Sequence, residues 1–150
     1  MKITDIDLPN EAFIYAAIHI LANRMQTLGD KIDPTVSNKQ WFVLAAVWRF
    51  KDNPPNIGEI ANALGTSRQN IKKMAVILEK QGLLRIERAE NDRRNIHLIM
   101  TQHCKDYLKG REQQENEYLE AIFLGIDDDI LAILRSGMSK LMENMNGLLN

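Results

Sequence analysis

Apolar side chains recur near the start of the chain at Ile14, Ile18, Leu21, Met25 and Leu28. These spacings of three and four predict one stripe of an amphipathic helix from Glu11 to Leu28. Phe13, Ala17 and Ile20 widen the stripe, so this helix is expected to meet more than one neighbour. Gly29-Asp30 and Asp33-Pro34 are expected to break it. A second helix is expected after Ser37, whose side chain can cap it, with Gln40 three residues on. It runs through Trp41–Trp48, apolar on nearly every side, and reads as the central core helix ended by Asn53-Pro54-Pro55.

Two short helices follow with matching signatures. Asn56 and Glu59 form a capping-box pattern ahead of the face Ile57, Ile60, Ala61 and Leu64, and Gly65 breaks the chain. Thr66 and Gln69 form a second such pattern ahead of Ile71, Met74, Ala75 and Leu78, with Gly82 placed as a C-terminal stop. Helix, Gly-containing turn, helix is the helix-turn-helix arrangement. After Gly82 the period falls to about two: Leu84 and Ile86, then Ile96, Leu98 and Met100. These strands flank a polar tip, Ala89 to Asn95, and together predict a hairpin, or wing. Thr101 can cap a fifth helix running to about Leu124, polar on every side from Lys109 to Glu117, as suits a helix bridging two lobes through solvent. Gly125 ends it and Asp127 starts a last helix, apolar on two faces from Ile130 to Leu149.

Composition changes this picture little: 45% hydrophobic and 26% charged residues are ordinary for a globular protein. No apolar run approaches the length of a membrane span, and the start of the chain carries no signal-peptide pattern, so the expectation is a cytoplasmic protein away from membranes. The single cysteine, Cys104, excludes an internal disulfide and a Cys-based zinc cage; a small half-buried side chain is expected there. Net charge is −1, yet from Ile57 to Thr101 eight Lys/Arg stand against five Asp/Glu. The positive surplus therefore sits on the helix-turn-helix and its wing.

The most informative surface is the polar face of the second short helix: Thr66, Ser67, Arg68, Gln69, Asn70, Lys72 and Lys73. Arg pairs with guanine edges, Gln and Asn with adenine, and Ser with several bases, while lysines suit phosphates. A solvated cationic helix face is the plainer alternative. At the wing tip Arg93 and Arg94 could enter a narrow minor groove, with Asp92 orienting them. Tyr15, Trp41, Phe42 and Trp48 on the first two helices could line a cleft for a small aromatic or amphipathic ligand, or simply fill the core. Nothing nominates an enzyme, a cofactor or a metal set: there is no phosphate loop and no nucleophile elbow, and His19, His97 and His103 are scattered.

The run from Ile57 to Asn70, with Leu78-Glu79-Lys80-Gln81-Gly82-Leu83-Leu84, Asp92-Arg93-Arg94 and Thr101, resembles the DNA-reading core of the MarR family of regulators. Gln40 to Leu44 is similar to that family's second-helix pattern, and the order of elements matches over nearly the whole chain. Two features depart from the pattern. Met100-Thr101-Gln102-His103-Cys104 stands where members have Leu-Thr and a Gly-containing turn, and the cysteine is not near the N-terminus as in the peroxide-sensing branch. The resemblance implies an obligate homodimer whose interface uses the first helix and the last two. The expected fold is mainly α, a winged helix-turn-helix with a two-stranded wing over residues 35–101. Residues 1–34 and 102–150 would form the dimerisation lobe. The expected function is a DNA-binding regulator, a repressor on a near-palindromic operator, relieved by a small molecule. The rival is a winged-helix protein-interaction module that does not touch DNA.

Overall fold

Four of the helices begin at side-chain caps that the sequence announces, at Ser37, Asn56, Thr101 and Asp127. The computed structural model describes the backbone of residues 6–50, 53–89 and 92–149 and, outside residues 89 and 92–95, their side chains. The elements are α1 (Asn10–Gly29), α2 (Asn38–Arg49), α3 (Ile57–Ala63), α4 (Arg68–Lys80), β1 (Leu84–Ala89), β2 (Asp92–Met100), α5 (Gln102–Ile122) and α6 (Asp128–Leu149). Capping boxes form at Ser37/Gln40 and at Asn56/Glu59, as expected. Asp127 caps α6, its carboxylate accepting the Ile130 amide at 2.8 Å.

The chain divides into two compact units, Met1–Gly110 and Arg111–Asn150. In the first, α2, α3 and α4 pack with the wing around Val43, Leu44, Ile60, Ile71, Ala75, Leu78, Leu84, Leu98 and Cys104, all fully buried. This is the predicted apolar set of α3 and α4, with Leu64 and Met74 half-buried at its margin. Cys104 is deeper than the half-buried position expected of it, and burial pushes its thiol up to about 11. It is therefore a protonated, apolar group at neutral pH.

The first helix ends at Gly29-Asp30, as expected. Gly29 is its last residue and is buried against Asn38 at the start of α2, where the absence of a side chain allows the close approach. Asp30 caps the helix end, and its carboxylate accepts the Asn38 amide at 2.7 Å and the Gln26 side chain. Those bonds, the Asn38 amide first, hold its pKa below the usual carboxylate range.

The wing is longer than the alternation of apolar residues suggests. β1 and β2 pair antiparallel from Leu84↔Met100 to Arg88↔Ile96, then shift register to Ala89↔Asp92. Residues 92–95, expected in the polar, charged tip, belong to the strand backbone. A second addition is a short third pairing on the far edge of β2. Asn56 bridges His97, Leu98 donates its amide to the Pro55 carbonyl at 2.9 Å, and His97 Nδ1 donates to the Pro54 carbonyl at 2.9 Å. A carbonyl only accepts, so Nδ1 carries the proton. α2 already ends at Arg49, and the two prolines pin the wing to the start of α3.

In the second unit the polar middle of α5 is not solvated all round. Arg111 is only 7% exposed and pairs with Glu115 one turn on at 3.2 Å. α6 buries no residue and exposes Ile130, Ile133, Leu134, Met138, Leu141, Met142, Met145, Leu148 and Leu149. Among the described residues no helix is long and apolar enough to cross a membrane.

Candidate nucleic-acid interface

The turn between α3 and α4 fixes everything on the helix that follows. Leu64 caps α3 and Gly65 takes φ +60, a left-handed conformation that glycine adopts without strain. The Gly65 amide then reaches the Asn62 carbonyl at 3.3 Å and the Thr66 amide reaches Ala61 at 3.0 Å. These are the paired bonds of a Schellman closure. Because Thr66 still belongs to that closure, the first extended residue is Ser67, and Ser67 caps α4 by accepting the Asn70 amide at 3.2 Å. The expected Thr66/Gln69 capping box is displaced by one residue. Thr66 therefore precedes the helix and Ser67 is its cap. Thr66 also accepts the Asn70 side-chain amide at 3.3 Å, which holds Asn70 back against the turn.

The far end of α4 closes the same way. Gly82 has φ +72, its amide bonds Glu79, and Leu83 bonds Leu78 at 2.9 Å. The Thr101 hydroxyl donates to the Gly82 carbonyl at 2.7 Å and accepts the Cys104 amide at 3.1 Å. One threonine thus ties the end of α4, the end of the wing and the start of α5.

With Ile71, Ala75 and Leu78 buried, the opposite side of α4 is set by helical period. Gln69, Lys73, Val76 and Lys80 follow one another at steps of four, three and four, with Lys72 alongside, and all are exposed. The only acid on the helix, Glu79, turns to accept the Ile86 amide of β1 at 2.8 Å. The outward face is consequently cationic and carries no engaged carboxylate. Arg68 is exposed too, and its guanidinium lies over Gly58 in the first turn of α3. Asp92, Arg93 and Arg94 lie on β2 by backbone, and their side chains fall outside the described residues.

The four aromatic candidates are spread over separate places. Trp41 and Phe42, edge to face at 5.1 Å, line a groove of about 570 Å³ with Ala45, Arg49, Phe50 and Leu64. Trp48 lines a second groove, of about 440 Å³, with Pro54, Pro55, Ile99 and Lys105. Tyr15 is exposed on α1 and stacks on His19 at 4.7 Å. Among the described residues no group of three His, Cys, Asp or Glu is placed to hold a metal ion.

Residues 33–95, which hold the helix-turn-helix and the wing, match the sequence model of the MarR family. Over that span the chain is similar to the MarR family. Over 87 residues it is 30% identical to the transcriptional repressor MprA of Escherichia coli (strain K12), covering 55% of this chain and 49% of MprA. The chain thus spans about half the length of the curated relatives it matches. The fold is similar to a solved MarR protein from Peptoclostridium difficile DA00132 with TM-score 0.81 and 18% identity, over 98% of this chain and 94% of that one. It is similar also to the S. aureus MepR–DNA complex, with TM-score 0.78 and 13% identity over 87% and 96% of the two chains. At such identities the likeness is one of fold, the winged helix-turn-helix with six helices and a two-stranded wing.

Three exposed residues of this winged helix were not among the sequence candidates. Val76 and Lys80 extend the outward stripe of α4, and the spacing from Gln69 would have found them. Arg88 is exposed on β1. It went unnoticed because the wing was read as ending at Ala89 and its tip, not its strands, was taken as the cationic part.

Proposed function

We propose that this chain binds double-stranded DNA sequence-specifically as a homodimer and represses transcription. The observation that carries this reading is the outward face of α4. It is cationic, its one acid faces the wing, and it follows a Schellman turn that fixes its angle to α3. Gln69 and Arg68 read base edges, and Lys72, Lys73 and Lys80 neutralise phosphates. Arg93 and Arg94 of the wing enter the flanking minor groove, with Asp92 orienting them. The match of residues 33–95 to the MarR family model, the similarity to the repressor MprA and a fold neighbour solved on DNA all support it.

The homodimer reading rests on apolar exposure. Large exposed patches on a soluble protein mark contact surfaces, and both α6 and the stripe of Ile14, Leu21 and Leu28 on α1 are such patches. Two recognition helices then occupy successive major grooves, and the operator is near-palindromic. As a regulator of DNA the protein works in the cytoplasm and carries out no reaction of its own. Its effector, a small aromatic or amphipathic molecule, occupies the groove of Trp41 and Phe42, with Arg49 as its cationic rim.

Selection of bound duplexes from a random pool tests the core of this proposal. The expected result is a near-palindrome with half-sites about 10 base pairs apart centre to centre. A pool that shows no enrichment, while the protein captures a protein partner instead, would favour the interaction-module reading and overturn this one.

A further inference from the structure

Gly58 stands at the second position of α3, in a seven-residue helix where glycine is among the least favourable choices. Its φ is not in the left-handed region, so no backbone requirement explains it. What lies beside it does. A Cβ at this position would sit 3.2 Å from Arg68 Nε and 3.3 Å from Arg68 Nη2, and 3.1 Å from Asn56 Oδ1. The Nε/Nη2 edge of the guanidinium therefore lies in tight contact with the place where any other residue would put its Cβ, and a side chain there would displace one or the other. Asn56 Oδ1 is fixed as the helix cap, accepting the Glu59 amide at 3.0 Å, so it does not readily give way. Arg68 is an exposed, flexible side chain and is the partner that must move.

We propose that Gly58 is a specificity-determining positioning residue. The side chain it lacks leaves a shelf on α3 against which Arg68 is held for reading a base edge. This inference rests on the DNA-reading function proposed above. An arginine with a surface to rest on samples fewer poses, and so loses less rotamer freedom when it makes two parallel bonds to guanine, which is where its planar fork differs from lysine. Without the shelf Arg68 still contributes its charge, but from many poses. The consequence is a separation of effects: a side chain at position 58 reduces discrimination at one base pair and leaves general attraction to DNA in place.

The test uses the full chain, the selected operator, the same duplex changed at the base pair that Arg68→Ala relaxes, and a random duplex. Gly58→Gln and Gly58→Ala give a large and a small displacement, and both residues favour helix more than glycine does. Thermal unfolding of each variant accompanies the binding isotherms, and Gly58→Ala carries the test if Gly58→Gln lowers Tm. Arg68→Ala is expected to lose roughly ten-fold on the operator. Gly58→Gln should lose a comparable factor on the operator, and change affinity for the random duplex by less than about two-fold. Gly58→Gln combined with Arg68→Ala should be no worse than Arg68→Ala alone. Losses that multiply in the combined variant overturn the inference, and so does a Gly58 variant that weakens operator and random duplex equally. A wild-type protein that selects no sequence at all overturns the DNA-reading function itself, which is a different result.

Discussion

Single atoms decide several features of this molecule, and Gly29 shows it most directly. A Cβ there would lie 2.5 Å from Asn38 Cγ and Oδ1 and 2.9 Å from Asn38 Cβ. The Asn38 side chain has little room to retreat, since its backbone amide is held by Asp30 and its side-chain amide faces the Met25 carbonyl. Overpacking of this kind costs about 1–3 kcal/mol. Gly29→Ala should therefore lower stability by that amount in urea unfolding, although alanine is the better helix former. Gly29→Ala combined with Asn38→Ala should recover part of the loss, since two of the three close atoms are then gone. A Gly29→Ala variant as stable as wild type would show that the α1–α2 crossing is loose. From the sequence Gly29-Asp30 reads as the end of the first helix, which it is, but not as a packing contact, because periodicity and turn chemistry report on one segment at a time. A glycine kept for a neighbour nine residues away leaves no local signal.

At the scale of elements, most of what builds the interface was legible. Capping boxes at Ser37 and Asn56, the apolar faces of α3 and α4, the stop at Gly82 and the caps at Thr101 and Asp127 all follow from local rules. The failures occurred where two local rules met. Gly65 closes α3 through the Thr66 amide, so the residue that looked like the cap of α4 was already committed to the end of α3. The prolines at 54 and 55 read as a terminator, and their carbonyls then serve β2, a partner that no window around them contains. The position of the cap can be checked. Ser67→Ala should lower stability by about 1 kcal/mol, the usual loss for a serine N-cap, and Thr66→Ala by clearly less. The opposite order in chemical denaturation would restore the cap to Thr66. Because Ser67 and Asn70 also hold the start of the recognition helix, the Ser67 variant should loosen operator binding more than its stability loss accounts for.

Across the whole molecule the least legible part is the place of the proposed effector. The aromatic residues were expected to share a cleft, and α2 instead distributes Trp41 and Phe42 to one groove and Trp48 to another. Helix period told which residues were apolar, not which neighbour each would face. Gly110 is better placed to test control. It lies within α5, where the boundary between the two compact units falls, and a Cβ there would meet no atom within 4 Å. Alanine is thus accommodated, and it favours helix over glycine by about 1 kcal/mol. Half-site spacing is a geometric requirement, so in the proposed DNA-binding dimer the path of α5 would govern whether both copies of α4 reach their sites. A ligand acts on this only through different affinities for a straight and a bent α5. Gly110→Ala should therefore raise Tm and also change affinity for the selected operator, or the response of that affinity to an effector, measured by titration of labelled duplex. If α5 is a rigid connector, the variant will be more stable and will bind the operator and respond to every tested aromatic ligand as wild type does. That outcome would remove Gly110 from the mechanism and leave regulation to the groove of Trp41 and Phe42, directly beside α3 through Leu64.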